Sequence, residues 1–76
     1  AQQRLFVKIA ARLEQPERLS QLQALLQKHS GAMPVVLVYE REQRAMALSA
    51  AYNVKPSPGL IHDIGELMGE DSARVK

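Results

Sequence analysis

The sequence contains no cysteine and no tryptophan, and its three aromatic residues are Phe6, Tyr39 and Tyr52. Without cysteine, neither a disulfide nor a thiolate metal site can stabilise the fold, and the absence fits a reducing compartment. We therefore expect a cytoplasmic protein. The longest apolar run is far shorter than the roughly 20 residues that span a bilayer, and no signal-peptide pattern opens the chain. The sequence predicts no contact with a membrane.

Patterns that carry catalysis or nucleotide binding are also missing. The loop between the first predicted strand and helix, 11–15, contains no glycine, which argues against the phosphate-binding turn of a Rossmann fold. His29 and His62 are far apart in sequence, and no serine is placed to complete a triad with either. A helix start after Ser57 could bind an anion, but capping is the simpler interpretation. The sequence therefore predicts no catalytic residue, no metal site and no cofactor.

The length of the chain, 76 residues, predicts a single domain over residues 1–76. A domain of this size buries only about 60% of the surface that its unfolded chain exposes, so it is marginally stable alone. The sequence also begins without methionine. We interpret it as a fragment of a longer protein, in which neighbouring parts support a small core.

Charge is unevenly distributed although the net charge is only +2. The first twelve residues contain three basic residues and no acid: Arg4, Lys8 and Arg12. The stretch 58–71 contains four acidic residues and no lysine or arginine: Asp63, Glu66, Glu70 and Asp71. An acidic helix repels phosphate, and counterion release needs clustered lysine and arginine. The acidic stretch therefore favours contact with protein over contact with DNA.

The run 34–39 (PVVLVY) is apolar at consecutive positions rather than alternating ones. Because strand side chains alternate between the two faces of a sheet, this pattern predicts a central strand that is covered on both sides.

Shorter patterns predict the neighbouring elements. Alternation over 4–10 predicts a strand, Pro16 opens a helix that Gly31 ends in a left-handed conformation, and 40–43 predicts a turn. The returning strand is expected at 44–49 and an extended segment at 52–56. A second helix follows Ser57, with close packing at Gly65, and ends at Gly69 before a strand at 72–76. The fold class is α/β: a small two-layer β-α-β-β-α-β domain with a mixed sheet of about four strands and two helices, ferredoxin-like or truncated Rossmann-like.

Two surfaces are candidates for function. If both helices cover one sheet face, Val36 and Val38 are left on the other, and with Phe6 they would form an apolar docking surface for a partner protein. The alternative is a ferredoxin-like nucleic-acid-binding module that uses the basic first strand with Arg41, Arg44 and Lys55.

Four stretches resemble a known family: Leu5-Phe6-Val7-Lys8-Ile9; His29-Ser30-Gly31 with Met33-Pro34-Val35; Val54-Lys55-Pro56-Ser57; and Leu67-Met68-Gly69 with Ala73-Arg74-Val75. Together they resemble the C-terminal region of the alpha subunit of bacterial DNA polymerase III. The family often has proline between the histidine and the glycine, where this chain has Ser30.

The resemblance implies a non-catalytic C-terminal accessory domain of a DNA-directed DNA polymerase. In that family the active-site carboxylates lie far upstream, and DNA is bound through neighbouring domains, including an OB-type domain before this region. Some members bind the tau subunit of the clamp loader here. The resemblance therefore implies two partners, the rest of the polymerase chain and the tau subunit.

Overall fold

The computed structural model describes residues 2–76, so the first residue of the predicted domain 1–76 lies outside the described residues. Its elements follow the predicted order with one additional short strand, β2: β1 (Leu5–Ile9), α1 (Pro16–Lys28), β2 (Ser30–Met33), β3 (Val35–Tyr39), β4 (Arg44–Ala47), α2 (Pro58–Met68) and β5 (Ala73–Val75). Short 3-10 turns lie at Ala11–Leu13 and Ala50–Tyr52.

The sheet has four strands in the order β4-β3-β1-β5. β1 and β3 are parallel neighbours joined through α1, while β4 and β5 pair antiparallel with β3 and β1. In a ferredoxin-like sandwich the β-α-β unit is split by a further strand. Here the two parallel strands pair directly, so the crossover is unsplit.

Both helices pack on one face of this sheet. β1 contributes every second residue to the core, and β3 contributes Val35 and Leu37. Fully burying one such aliphatic side chain contributes about 1.5–3 kcal/mol. The residues that are less than 2% exposed come from β1, α1, β3, the segment before α2, and α2 itself: Leu5, Val7, Ile9, Leu22, Leu26, Val35, Val54, Leu60 and Ile64. The prediction of a two-layer α/β domain with a mixed four-stranded sheet is confirmed.

The end of α1 differs from the prediction. His29 is the C-cap with an ordinary φ of −114°, and Gly31 lies in β2 outside the left-handed region. β2 does not join the main sheet: it bridges to Val54, and Gly31 N donates to the carbonyl of Asn53 at 3.0 Å. A Cβ on Gly31 would stand 2.5 Å from Lys55 N, so this glycine permits two backbones to approach. The helix-ending role predicted for Gly31 is wrong.

α2 begins and ends as predicted. Ser57 Oγ accepts the N–H of Leu60 at 3.1 Å, and Gly69 ends the helix with φ of 104°. The close packing expected at Gly65 is wrong, because apart from the neighbouring residues and backbone of α2 itself, no atom of residues 2–76 lies within 4 Å of where a Cβ would be.

The segment before α2 is less extended than predicted. Ala50–Tyr52 forms a 3-10 turn, and β4 ends at Ala47 rather than at Ser49. Val54 is fully buried and bridges to Ser30 and Met33. The extended interpretation of Tyr52 is wrong, because its N–H donates to the carbonyl of Ser49 and closes the turn.

Candidate docking face

The sheet face opposite the helices is called the open face below. The register fixes which side chains belong to it, because those of β1 and β3 alternate with residues of the core. Phe6 pairs with Val36 and Lys8 with Val38 across the two central strands. The edge strands complete the open face with Ala45, Ala47 and Arg74.

The three residues predicted for partner binding lie together at the centre of this face. Phe6 and Val36 are cross-strand neighbours, and Val38 is two residues further along β3. Val36 is 7% exposed although it lies outside the helix-side cluster, while Phe6 and Val38 are half-buried. Within residues 2–76, only the helix side of β3 is covered by another layer. The expected cover on both sides of this strand is therefore wrong for the chain by itself.

A groove of about 460 Å³ runs along the open face beside Phe6. Val38 and Lys8 line it from the central strands, and Arg74 and Lys76 line it from the β5 side. Lys76 Nζ lies 5.7 Å from the centroid of the Phe6 ring, a distance typical of a cation–π contact. The groove thus combines an apolar floor with basic side chains.

Glu40 lies at the opposite end of the groove and pairs there with Ala11 and Lys8. Its Oε1 accepts the N–H of Ala11 at 3.1 Å, and its Oε2 lies 3.5 Å from Lys8 Nζ. The hydrogen bond from Ala11 is the largest influence and lowers the pKa of Glu40 below its ordinary value; desolvation opposes it, and Lys8 and Arg12 support it. This end carries charges that are already paired.

The residues predicted for nucleic-acid contact do not form one patch. Arg41 Nη2 donates to the carbonyl of Ala11 at 3.0 Å, and Arg44 Nε lies 3.7 Å from Glu42 Oε2. Lys55 lies at the other end of β3, where its N–H donates to the carbonyl of His29. A five-residue strand is about 13 Å long from first to last Cα, so the predicted proximity of Lys55 to the two arginines is wrong.

Among the groove residues that sequence reasoning missed, three come from the last stretch of the chain: Ser72, Arg74 and Lys76. Arg74 lies opposite Phe6, and Ser72 is 6% exposed with no hydrogen-bond partner for its Oγ within residues 2–76. The signal was the alternation of the last stretch, SARVK. It could be used only once β5 was known to pair with β1.

In the part of the chain that the structure describes, no group of three or more histidine, cysteine, aspartate or glutamate residues could hold a metal ion. Among the helices of residues 2–76, none combines the length and the apolarity needed to cross a membrane.

The fold and this face define a small two-layer α/β domain with one uncovered sheet face. The family model for the C-terminal domain of the DNA polymerase III subunit alpha matches residues 21–69. The chain is also 38% identical over 74 residues to the DNA polymerase III subunit alpha of Halalkalibacterium halodurans. That alignment covers 96% of this chain and 7% of the relative. No solved structure gives a significant match.

The chain belongs to the family formed by the C-terminal domains of DNA polymerase III alpha subunits. The resemblance seen in the sequence is thereby confirmed.

Proposed function

We propose that this domain is a non-catalytic docking module of a DNA polymerase III alpha chain, and that it contributes to replisome assembly by binding the clamp-loader tau subunit through the open face. One observation carries the proposal: Phe6, Val36 and Val38 form an apolar strip on a sheet face that no other layer covers within residues 2–76.

Physical reasons support an occupant for this strip. A strand that is apolar on both faces is typical of a sheet covered on both sides, and β3 has such a sequence. An apolar patch surrounded by polar and charged side chains is typical of a protein interface. Lys8 and Arg74 are charged residues that border the apolar strip, and both are exposed.

The parent activity follows from the relative rather than from the site. The chain spans 7% of a relative named as a DNA polymerase III subunit alpha, and its sequence carries no recognisable catalytic pattern. We therefore place nucleotidyl transfer and DNA binding in other parts of a longer, cytoplasmic polymerase chain. The domain described here would position that enzyme in the replication machinery.

The test is a charge placed in the apolar strip of the full-length alpha chain. Val38→Asp puts a carboxylate where the partner must exclude water, and burying an unpaired charge is strongly unfavourable. We expect the affinity for tau, measured by isothermal titration calorimetry, to fall by roughly a hundredfold or more. Val36 is less suitable because it is 7% exposed, so that aspartate there would endanger folding.

The matched control is Met46→Asp. Met46 is 39% exposed and pairs with Leu37, so it belongs to the helix-side alternation at the sheet edge and not to the open face. This variant should bind tau normally. Normal tau binding by a folded Val38→Asp chain would show that the open face is not the docking surface.

The nucleic-acid alternative receives less support from the structure, because Arg41 already binds Ala11 and Lys55 lies at the far end of β3. Its discriminating experiment is a salt titration of DNA binding. A loss of affinity on charge reversal at both Arg41 and Arg44, with a shallower salt slope, would favour it.

A further inference from the structure

The two ends of the groove on the open face differ in charge. Arg74 and Lys76 lie at the end next to Phe6 and are exposed. Within residues 2–76, no carboxylate lies within ion-pair distance of either. At the other end Lys8 is paired with Glu40, and Asp71 lines the groove. The positive charge that remains uncompensated is therefore concentrated at the Arg74 end.

The floor of the groove is apolar and only partly buried. Phe6 and Val38 are half-buried, so an apolar group placed on them would complete their removal from water. The volume of about 460 Å³ lies within the range of about 300–1,000 Å³ typical of binding pockets. This space accommodates one large side chain together with a short length of backbone.

We propose that the groove binds an acidic segment of the partner protein, which places one large apolar side chain against Phe6 and Val38 and its carboxylates beside Arg74 and Lys76. The proposal rests on the docking function of the open face and adds the chemistry of the segment that docks. Arginine suits this role because its guanidinium forms paired hydrogen bonds with a carboxylate.

Single-stranded nucleic acid is also anionic, but it fits the groove less well. Phe6 and Tyr39 both line the groove, but Tyr39 packs against the helix-side core, which leaves Phe6 as the aromatic residue that the register of residues 2–76 places on the open face. Single-strand binders present several aromatic side chains on which successive bases stack. Glu40 and Asp71 would in addition repel a phosphate chain that continued along the groove.

The experiment measures tau binding by the full-length alpha chain carrying Arg74→Glu and Lys76→Glu together. We expect the affinity to fall by roughly 10- to 100-fold at low salt, mainly through slower association, and the loss to shrink as salt screens the charges. The control variant, Gln21→Glu with Gln23→Glu and Lys28→Glu, makes the same change in net charge at exposed positions of α1. It should leave the affinity unchanged.

The outcomes separate this inference from the docking function. If Val38→Asp abolishes tau binding but the Arg74/Lys76 reversal does not alter it, the open face binds tau, and the proposal that the bound segment is acidic is wrong. If neither change alters tau binding, both proposals are wrong. A fall in binding of oligo-deoxythymidine by the reversed chain, relative to the α1 control variant and with tau binding intact, would assign the basic end to nucleic acid instead.

Discussion

Arg18 donates a hydrogen bond of 2.7 Å from its Nη1 to the carbonyl oxygen of Leu67. The bond joins the first turns of α1 to the last turn of α2, where carbonyl groups lack partners within their own helix and carry partial negative charge. A charged donor therefore fixes the angle between two helices that otherwise meet through aliphatic side chains.

Replacing Arg18 tests the strength of this link. Arg18→Met keeps the unbranched aliphatic stem of the side chain but removes the hydrogen-bond donor. Hydrogen bonds to charged groups contribute about 1.5–3 kcal/mol. We expect the free energy of unfolding, measured by urea denaturation of the 76-residue chain, to fall by about that amount. Gln23→Met, at an exposed position of the same helix, is the control. Equal stability of the two variants would mean that the bond contributes nothing.

Gly65 offers a stabilising substitution. It lies inside α2, and apart from the neighbouring residues and backbone of that helix, a Cβ there would meet no atom of residues 2–76 within 4 Å. Glycine in a helix interior costs about 1 kcal/mol relative to alanine, because the unfolded chain loses more freedom. Gly65→Ala should therefore raise the free energy of unfolding by about 1 kcal/mol in the same denaturation experiment. A loss of stability would reveal a neighbour that the structure does not place there.

Gly31 should respond in the opposite direction to the same substitution. The new Cβ of Gly31→Ala would stand 2.5 Å from Lys55 N and 2.6 Å from the carbonyl carbon of Val54. Both are backbone atoms, so β2 and the Val54 segment must separate. Overpacking of this kind costs about 1–3 kcal/mol. Hydrogen exchange at the Lys55 amide, which is bonded to the His29 carbonyl, should accelerate as well. Unchanged exchange would contradict the close approach.

Glu40 links stability to acidity. Because its pKa is lower in the folded chain than in the unfolded one, its contribution to stability is complete above the unfolded pKa of about 4.3. It is lost as the pH falls through the lowered folded pKa, when the carboxylate that accepts from Ala11 becomes protonated. Glu40→Gln should flatten this part of the acid unfolding curve, because an amide has no carboxylate that could be protonated there. An NMR titration of the Glu40 carboxyl should show a midpoint below the ordinary value, and an ordinary midpoint would refute the link.

Local patterns in the sequence predicted most of the elements. Ser57 followed by Pro58 marked the start of α2 correctly, because a hydroxyl cap and a proline at the first helical position act within one turn. The consecutive apolar residues of β3 marked a central strand for a similarly local reason. The two glycine errors have the opposite origin. What surrounds Gly31 and Gly65 is set by segments distant in sequence, and periodicity holds no information about them.

The open face was predictable in part. The alternation of β1 and β3 placed Phe6, Val36 and Val38 on one side as soon as the helices were assigned to the other. Arg74 and Ser72 could not be added, because the position of β5 beside β1 depends on long-range pairing. Long-range arrangement also explains the error on Lys55. Its distance from Arg44 depends on the path of the chain between β4 and α2, which local patterns do not predict.

The pairing of β5 with β1 has a consequence for how the protein is made. Leu5 leaves the ribosome well before its antiparallel partner Val75 is synthesised. Until then β1 can pair only with β3, and its second edge has open hydrogen-bonding groups that attract other strands. The sheet is therefore completed after translation has passed Ala73–Val75, and a chain stalled before that point would expose an aggregation-prone edge.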